Sequence, residues 1–440
     1  MKIQRKVLTL ILVALLFFIA GCGKEKQSGT ETPTPKPTEV EDTTPASTPT
    51  PAPTSTAEES SRIEEWLENT TDADKVILTY DQIKEYNKKL VDKSQHLIDI
   101  LEAEVVVNGN TVKDYINGSY IPSLPKYDKS GEITNQDVVE IKKNFNTDAI
   151  PAQVEAKYGV IVYRADLKSI PTRLGFYDSP TDEYYDRIQE TELPIGMPVL
   201  VLHESLDKDF LYIQTYFYRG WIRADAVAIC ESRDAWLEFA DLKEFITITT
   251  TLLPVGKKGA KADMGCAFPL VKENNDSYTV KLPERNNDGK LEVVETDISK
   301  KDAVKGYLPY TKGNFITLAL KFVGTPYGWG GLNEGHDCSG YLVCVFRTFG
   351  FKFPRNTSQQ SGVIGDEVIN LEGLSKDDII EKVSEIEHPA CLFKKGHVLL
   401  YLGVLDDVPY IVHSPSGGQY VTEEPLENVI SNLVNATIIK

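Results

Sequence analysis

A single amphipathic helix that begins at a cysteine constrains this chain more than any other feature. Apolar residues recur at helical spacing on one face: Cys338, Tyr341, Leu342, Val345, Phe346 and Phe349. Asp337 is a favourable N-cap, and Gly350 is a favourable residue just past the helix end. Cys338 therefore lies in the first turn, where free backbone N–H groups and the helix dipole favour an anion. We expect this position to lower the pKa of the thiol, with a nearby imidazolium outweighing the opposing charge of Asp337.

Two histidines follow this helix in segments that have the pattern of β-strands. His397 lies in the apolar run 396–403, and His413 lies in the short run 410–414. A hairpin with a loop from Gly403 to Asp407 places the two histidines directly opposite each other, and therefore on one face of the sheet. We predict that both rings face the helix that begins at Cys338. A cysteine, a histidine and a further polar residue are the types that form a nucleophile, its base and the group that orients the base.

An ordered set of motifs surrounds these three residues. It comprises Gly-Thr-Pro-Tyr-Gly-Trp-Gly-Gly at 324–331, Asp-Cys-Ser-Gly at 337–340, Pro-Arg-Asn-Thr-Ser-Gln-Gln at 354–360, Gly-His-Val at 396–398 and Val-His-Ser at 412–414. The set resembles the NlpC-type family of bacterial cell-wall cysteine peptidases, which has a papain-like fold. Two departures are the Pro-Ala-Cys at 389–391, where the family usually has Pro-Gly-Asp, and an acidic insertion at 375–387. Neither touches the three predicted catalytic positions.

The resemblance implies a role for each of these residues. Cys338 attacks an amide carbonyl, His397 takes the thiol proton and later protonates the leaving amine, and His413 orients His397. The backbone N–H of Cys338 is a natural oxyanion donor at a helix start, and the resemblance adds Tyr327 as a second donor. His336 lies on the loop before the helix and is not predicted to be the base. We expect activity to fall below about pH 6 as His397 becomes protonated.

A metal site is the alternative reading of the same residues. His336, Cys338, His397 and His413 are ligand types that zinc accepts. Their spacing fits no zinc motif, and the nucleophile interpretation accounts for all of the residues it uses. We therefore predict neither a metal nor a cofactor.

The N-terminus has the pattern of a lipoprotein leader. Three basic residues precede an apolar run from Val7 to Ala20, which is shorter than the ~20 residues that cross a bilayer. Ile-Ala-Gly-Cys at 19–22 resembles a lipobox, which implies removal of residues 1–21 and lipidation of Cys22. The chain is then extracytoplasmic and anchored to the cell membrane through that lipid. Residues 22–60 are rich in Thr and Pro and predict a disordered tether with a reach on the order of 100 Å.

Charge and cysteine content limit the partners. The chain has a formal net charge of −18, and removal of the leader, which carries three cations, makes the remainder still more acidic. An acidic surface argues against nucleic acid and against anionic lipid as partners. Four of the six cysteines have no assigned role, and a disulfide between Cys230 and Cys266 remains open.

The body of the chain is predicted to be an α+β protein of several domains. Residues 61–156 contain helical stretches, and 157–235 and 236–310 contain short strands separated by turns. These segments resemble the N-terminal stabilising domain and the paired bacterial SH3-like barrels that precede some NlpC-type domains. Residues 311–440 are predicted to form the papain-like peptidase domain.

This domain order implies a substrate. The resemblance is to γ-D-glutamyl-L-diamino acid endopeptidases, which cut the stem peptides of peptidoglycan. In such enzymes the first SH3-like domain closes one end of the cleft and favours stems with a free N-terminal L-Ala. By resemblance, Asp337, Ser339 and Tyr327 bind that amine, with Thr357 and Tyr218 as further candidates for lining the cleft.

Two other functions are compatible with the sequence. One is a wall-binding lipoprotein with a vestigial catalytic domain, and the other is an acyl or peptidyl transferase on the same fold. The sequence also leaves open whether the diamino acid is diaminopimelate or lysine, and whether the substrate is free stem peptide or intact wall. It does not specify the membrane leaflet or the oligomeric state.

Overall fold

The computed structural model describes residues 56–256 and 259–440. The predicted leader, Cys22 and nearly all of the predicted tether lie outside the described residues, so lipidation stays a prediction. Within the described ranges, no helix combines the length and the apolar character that crossing a membrane requires.

The N-terminal region is a set of helices with short strands between them. Its elements are α1 (Thr56–Asn69), β1 (Val76–Leu78), α2 (Tyr80–Lys93), β2 (Val106–Asn108), α3 (Gly109–Asn117), β3 (Tyr127–Asp128), β4 (Gly131–Glu132), α4 (Asn135–Asn144) and β5 (Gln153–Glu155). Helix α1 begins within the segment predicted to be tether. Helices α2 and α4 begin at capping boxes, formed by Thr79 with Gln82 and by Thr134 with Asp137.

This region shares its apolar residues with two neighbours. Trp66 of α1 and Leu90 of α2 belong to the core of the C-terminal domain. Val112 of α3 and Ile141 of α4 pack instead in one cluster with Trp221 of the following barrel. The described part of the N-terminal region therefore joins the two domains that flank the cleft, because its helices bury their apolar faces against them.

The next region is a seven-stranded antiparallel sheet in the order β12-β6-β9-β10-β11-β7-β8. Its strands are β6 (Lys157–Ile161), β7 (Ala165–Lys168), β8 (Gln189–Leu193), β9 (Pro198–Glu204), β10 (Phe210–Gln214), β11 (Arg219–Arg223) and β12 (Val227–Ile229). The short strands predicted within residues 157–235 are present. We call this region the first barrel.

Helix α5 (Arg233–Ala240) leads into a second β region, which we call the second barrel. Its strands are β13 (Phe245–Ile248), β14 (Leu252–Val255), β15 (Ala260–Asp263), β16 (Ala267–Glu273), β17 (Ser277–Arg285), β18 (Leu291–Ser299) and β19 (Ala303–Lys305). Five of them form one sheet in the order β18-β17-β16-β13-β19. Cys230 and Cys266 are both buried free thiols, so the disulfide left open by the sequence is not formed.

The C-terminal domain packs helices against a six-stranded sheet in the order β21-β26-β22-β23-β24-β25. Its elements are β20 (Tyr310–Thr311), α6 (Lys312–Leu320), α7 (Cys338–Arg347), α8 (Thr357–Gln360), β21 (Glu367–Asn370), α9 (Lys376–Ser384), β22 (Ala390–Lys394), β23 (His397–Leu405), β24 (Val408–His413), β25 (Thr422–Pro425) and β26 (Leu433–Ile438). Helix α7 is buried along most of its length and packs on β23. The acidic insertion forms α9, whose Ile379 and Val383 are buried in a separate cluster.

One arginine holds the two barrels and the C-terminal domain together. Arg164 follows β6, and its Nε atom lies 3.0 Å from Oδ1 of Asp263 at the end of β15. Its terminal nitrogens donate to the backbone oxygens of Gly331 (2.6 Å) and Gly335 (2.9 Å), on the loop that leads to Cys338. The arrangement of the barrels is therefore coupled to the start of α7.

Helix α1 fixes the edge strand of the C-terminal sheet. Arg62 forms a salt bridge with Glu423 of β25, and the Trp66 indole N–H donates to the same carboxylate at 2.7 Å. The Arg62 guanidinium lies over the ring of Tyr410 on β24, 5.4 Å from its centroid. The strand next to β24 is therefore held from outside by the first helix of the fold.

Candidate active site

Cys338 lies at the start of α7, where the sequence places it. Asp337 is the N-cap, and its Oδ1 atom accepts a hydrogen bond from the Gly340 amide at 2.7 Å. The Cys338 side chain is nearly buried, with Sγ 3.7 Å from Oγ1 of Thr357. The Val398 backbone N–H also contacts the sulfur. The thiol is therefore enclosed by the helix start, α8 and the first residues of β23.

The surroundings of the thiol do not favour a thiolate. Burial raises the pKa of Cys338 to about 11, and the charge of Asp337 contributes to the increase. The Val398 N–H, the Thr357 hydroxyl and the charge of Arg355 offset only part of it. The prediction of a lowered thiol pKa is therefore wrong for the free protein, because desolvation outweighs the partial positive charge of the helix start.

The predicted base is also in its neutral form. Burial lowers the pKa of His397 well below 6.5, and the neighbouring His413 and Lys394 lower it further, although Asp337 opposes them. His397 therefore does not supply the imidazolium that was expected to stabilise a thiolate. The resting pair is therefore a neutral thiol and a neutral imidazole.

The hairpin that carries the two histidines is tighter than predicted. Leu405 pairs with Val408, so that Asp406 and Asp407 alone form the turn. Both aspartates have positive φ, 50° and 63°, as a two-residue type I′ turn requires. A bulge between Tyr401 and Gly403 then shifts the pairing of the strands.

The bulge changes how the histidines meet. Beyond it, Leu400 pairs with Val412, and continuing this register places Leu399 opposite His413. His397 lies two residues from Leu399 and so points to the same face as His413. The predicted direct pairing is therefore wrong, but the rings still meet along a diagonal, with His397 Nε2 2.8 Å from His413 Nδ1.

A carboxylate that the sequence reasoning missed continues this chain of hydrogen bonds. The Nε2 atom of His413 lies 2.9 Å from Oε1 of Glu424 on β25. The hydrogen bond from His413 lowers the pKa of Glu424, although burial opposes it. The alternation of side chains along a strand predicts this contact once the pairing is known. Thr422 pairs with His413, and Glu424, two residues later, lies on the same face of the sheet.

Asp337 is saturated with hydrogen bonds. Arg355 donates to both carboxylate oxygens, at 2.8 and 2.7 Å. The Gly340 amide and the Ser339 hydroxyl donate to Oδ1, and the Gly330 amide donates to Oδ2 at 2.9 Å. Burial raises the pKa of Asp337, but Arg355 and the amides outweigh it and hold that pKa below 3.8. A carboxylate offers about four lone-pair positions, so this group has none left for an ammonium ion.

The other predicted substrate-binding residues lie close to the nucleophile. Ser339 is buried and both donates to Asp337 and accepts from Arg355. Tyr327 is also buried, and burial raises the pKa of its hydroxyl, with smaller contributions from the charges of Asp337 and Cys338. Tyr327 is therefore a neutral phenol close to Cys338, which is the state that a hydrogen-bond donor requires.

The first barrel forms one wall of the site, and this wall contains an acidic residue, Glu190. The Tyr218 hydroxyl hydrogen-bonds to Glu190, and it lies against Asn356, the residue before Thr357. Burial raises the pKa of Glu190. No lysine or arginine within the described ranges forms a salt bridge with this carboxylate, in contrast to Asp337. Glu190 was not singled out by the sequence, whereas Tyr218 was.

A loop of the first barrel also reaches over the C-terminal domain. The ring of Tyr185 lies 6.3 Å from that of Tyr327 and 5.6 Å from that of Trp329, between ring centroids. The neighbouring Tyr184 packs so closely on Gly418 that a Cβ atom there would lie 2.6 Å from its ring. The barrel therefore covers one side of the cleft that leads to Cys338.

The four residues considered for zinc do not gather at one point. His336 is turned towards the second barrel, with Nε2 3.1 Å from Oδ1 of Asp263. Within the described ranges, one group of three metal-ligand types occurs, formed by Glu192, His336 and Cys344. Glu192 lies 3.5 Å from the guanidinium of Arg355, so a metal ion would have to compete with that guanidinium for the Glu192 carboxylate. A separate cavity of about 650 Å³ between the two barrels is lined by none of the predicted catalytic residues.

Comparison with known proteins agrees with this arrangement. Residues 176–223 match the family described as SH3 domain (SH3b1 type), and residues 324–435 match the NlpC/P60 family. The chain is 29% identical over 226 residues to gamma-D-glutamyl-L-lysine dipeptidyl-peptidase of Bacillus cereus, covering 48% of this chain and 60% of that protein. It is 26% identical over 250 residues to dipeptidyl-peptidase 6 of Lysinibacillus sphaericus, covering 54% and 83%.

A solved structure shares the architecture. The NlpC/P60 endopeptidase from Photobacterium damselae subsp. piscicida superposes with a TM-score of 0.67 and 21% identity, over 85% of this chain and 96% of that one. At this level of identity the likeness shows the fold alone.

The fold and the site together define a cysteine peptidase domain, with a cysteine at a helix start packed on a strand that begins at a histidine. The chain carries an NlpC/P60 domain at residues 324–435, preceded by a bacterial SH3 domain of the SH3b1 type at 176–223. It spans 60% of the length of the Bacillus cereus relative, which is less than two thirds of that protein.

Proposed function

We propose that this chain is a lipid-anchored cysteine peptidase that hydrolyses the γ-D-glutamyl–L-diamino acid amide bond of peptidoglycan stem peptides. The single observation that carries the proposal is the hydrogen bond between His397, on the strand against which the Cys338 helix packs, and His413 on the neighbouring strand. The name of the Bacillus cereus relative supports this bond, and the names of both relatives support release of a dipeptide. Cell-wall recycling or remodelling is the process we assign to it.

The first chemical step follows from the neutral resting pair. As Sγ of Cys338 forms a bond to the amide carbonyl carbon, the thiol proton passes to the free nitrogen of His397. The carbonyl oxygen becomes an oxyanion, for which the Cys338 N–H at the helix start and the Tyr327 hydroxyl are the proposed donors. Because the thiolate forms only during attack, its high pKa does not prevent the reaction.

The second half of the reaction returns the enzyme to its starting state. His397 gives its proton to the amine of the diamino acid, the C–N bond breaks and a thioester to Cys338 remains. His397 then accepts a proton from a water molecule that attacks the thioester. The dipeptide L-Ala–γ-D-Glu leaves with a free carboxylate, and the thiol recovers its proton.

We assign recognition of the free N-terminal amine to Glu190, which revises the predicted role of Asp337. The Asp337 carboxylate already accepts five hydrogen bonds and is paired with Arg355. Glu190 is half-buried and hydrogen-bonded to Tyr218, whose hydroxyl lies against Asn356, and the substrate ammonium ion becomes its salt-bridge partner. Ser339 then acts through Asp337 and Arg355 and does not contact the substrate.

The proposed location rests on the leader alone. The lipobox at residues 19–22 supports an acyl anchor on Cys22, and the Thr/Pro-rich segment after it supports a tether. Incorporation of labelled palmitate into the chain in a bacterial host, and its loss in Cys22→Ala, tests this part independently of catalysis.

The activity is tested by mass spectrometry on the full chain in detergent. The substrates are L-Ala–γ-D-Glu–diaminopimelate and the corresponding lysine tripeptide. We expect release of L-Ala–γ-D-Glu by the native chain and not by Cys338→Ala. Cys230→Ala is the matched control, since it removes a buried thiol from the first barrel and should retain activity.

Substrate variants separate the proposal from its alternatives. Cleavage of intact wall without cleavage of the tripeptides would contradict the free-stem specificity. Transfer of the dipeptide to an added amine in preference to water would favour the transferase, and wall binding without any cleavage would favour a vestigial domain.

The role of Glu190 has its own test. We expect Glu190→Gln to raise KM for the free tripeptide at least tenfold, while kcat changes little. The variant should hydrolyse an N-acetylated tripeptide no more slowly than the native chain does. An unchanged KM would contradict the assignment of the amine site to Glu190.

A further inference from the structure

We infer that Glu424 is a positioning residue that sets the tautomer of the base through a relay of two imidazole rings, Glu424–His413–His397. The inference rests on the proposed function, and it adds a fourth member to the three residues that the sequence suggests. It concerns which nitrogen of His397 carries the proton before a substrate arrives.

The relay begins at an acceptor. The Glu424 carboxylate is ionised at neutral pH and can only accept hydrogen bonds. Because Nε2 of His413 lies 2.9 Å from its Oε1 atom, that nitrogen has to carry a hydrogen. In neutral His413 the other nitrogen, Nδ1, is then an unprotonated acceptor.

The position of the hydrogen on His413 fixes that on the second ring. Nδ1 of His413 lies 2.8 Å from Nε2 of His397, and two lone pairs at this distance would repel each other. His397 Nε2 therefore carries the hydrogen, and in the neutral ring Nδ1 of His397 is left with its lone pair. That nitrogen is the one able to accept the thiol proton.

Without the Glu424 carboxylate, the hydrogen bond between His413 and His397 can run in either direction. His413 can then carry its hydrogen on Nδ1 and donate it to His397, which places the hydrogen of His397 on Nδ1. In this reversed form Nδ1 of His397 carries a hydrogen and cannot accept the thiol proton. Glu424 removes the reversed form, and it also stabilises the imidazolium that forms on His397 during attack.

The charged groups around the relay are consistent with this direction. Lys394 of β22 lies near both Glu424 and His397, and its charge favours an ionised Glu424 and a neutral His397. The Asn428 amide also hydrogen-bonds to Glu424. Asp337 is the other charge that acts on His397, and it is neutralised by Arg355.

The test compares Glu424→Gln with Glu427→Gln, an exposed acid on the following turn. The glutamine amide can accept from or donate to His413, so it permits both directions. We expect kcat on the tripeptide to fall by about 10- to 100-fold in Glu424→Gln, less than the ~10⁴ known for direct loss of an acid next to a catalytic histidine. KM and the thermal midpoint should stay near native values, and Glu427→Gln should match the native chain.

A double-mutant cycle shows whether the effect passes through His413. In a His413→Ala background, Glu424→Gln should change kcat by less than about twofold, because the relay is already broken. An equal loss in both backgrounds would overturn the inference and leave Glu424 as a residue that only supports the strand.

A spectroscopic readout separates this inference from the proposed function. The chain has six histidines, so long-range ¹⁵N–¹H spectra of ¹⁵N-histidine-labelled protein can be assigned with His397→Ala. We expect an unprotonated Nδ1 on His397 in the native chain and a mixture of tautomers in Glu424→Gln. This result stands even if the tripeptide is not cleaved, whereas a protonated Nδ1 in the native chain would overturn the inference even if cleavage is observed.

Discussion

Arg355 gives the sharpest test of how charge is balanced behind the nucleophile. Its guanidinium is 3% exposed and donates to Asp337, Ser339 and the Thr191 hydroxyl of the first barrel. Replacement by methionine keeps the length of the side chain but leaves the Asp337 carboxylate buried without its cation. We expect Arg355→Met to lower the free energy of unfolding by about 3–5 kcal/mol, the usual cost of breaking a buried pair from one side. For a domain of this size the thermal midpoint should fall by roughly 10 °C.

The effect should depend on pH with a defined sign. In the native chain the pKa of Asp337 lies below 3.8, which is lower than in the unfolded chain. The ionised carboxylate therefore stabilises the fold at any pH above the unfolded pKa, and this stabilisation is lost as pH falls through the folded pKa. Without Arg355, burial is no longer offset and the pKa of Asp337 should rise above the unfolded value. Stability is then lost as pH rises through the new pKa. The difference between Arg355→Met and the native chain should therefore be larger at pH 7 than at pH 4.

Urea unfolding followed by tryptophan fluorescence at pH 4 and pH 7 measures both quantities. Arg173→Met is the matched control, because its salt bridge with Asp209 is exposed and such pairs contribute at most about 1 kcal/mol. Adding Asp337→Asn to Arg355→Met should recover part of the loss. A small loss that does not change with pH would refute the reasoning, since it would mean that Asp337 needs no cation.

Other parts of the structure give further expected outcomes. Because the pKa of His397 is lowered, kcat/KM on the tripeptide should stay level down to about pH 6, and a half-maximal point at or above pH 6.5 would contradict this. Trp66→Ala should lower the free energy of unfolding by about 3–5 kcal/mol, since the ring is buried against the C-terminal core, and denaturation measures it. Tyr185→Ala should open the covered side of the cleft and raise kcat/KM for N-acetylated relative to free tripeptide; an unchanged ratio would remove this loop from specificity.

Local patterns predicted the elements around the site well. The N-cap of α7, its buried face and the strands of both barrels follow from periodicity and turn residues over short stretches of chain. The register of the β23–β24 hairpin did not follow, because the bulge between Tyr401 and Gly403 shifts the pairing without changing the alternation of apolar residues. The pKa of Cys338 was misjudged for a related reason: sequence shows the helix start but not the burial around it.

Most of the residues that the sequence missed are defined by partners distant in the chain. Arg355 reaches Thr191 across 164 positions, and Glu190 comes near Arg355 only because the first barrel packs beside α8. No periodic pattern records such contacts. Glu424 is the exception, since its place two residues after the partner of His413 could have been derived once β25 was paired correctly.

The contacts of Arg62 and Trp66 with Glu423 connect the first helix of the fold to the strand that supports the catalytic histidines. Glu423 and Glu424 are adjacent on one strand and point to opposite faces, so Arg62 and Trp66 hold one side while His413 is held on the other. A displacement of α1 would therefore act on this strand through Arg62 and Trp66. A shortened protein that begins at residue 61 would lose the first turn of α1, so peptidase assays on such a protein would examine a relay whose outer support is incomplete.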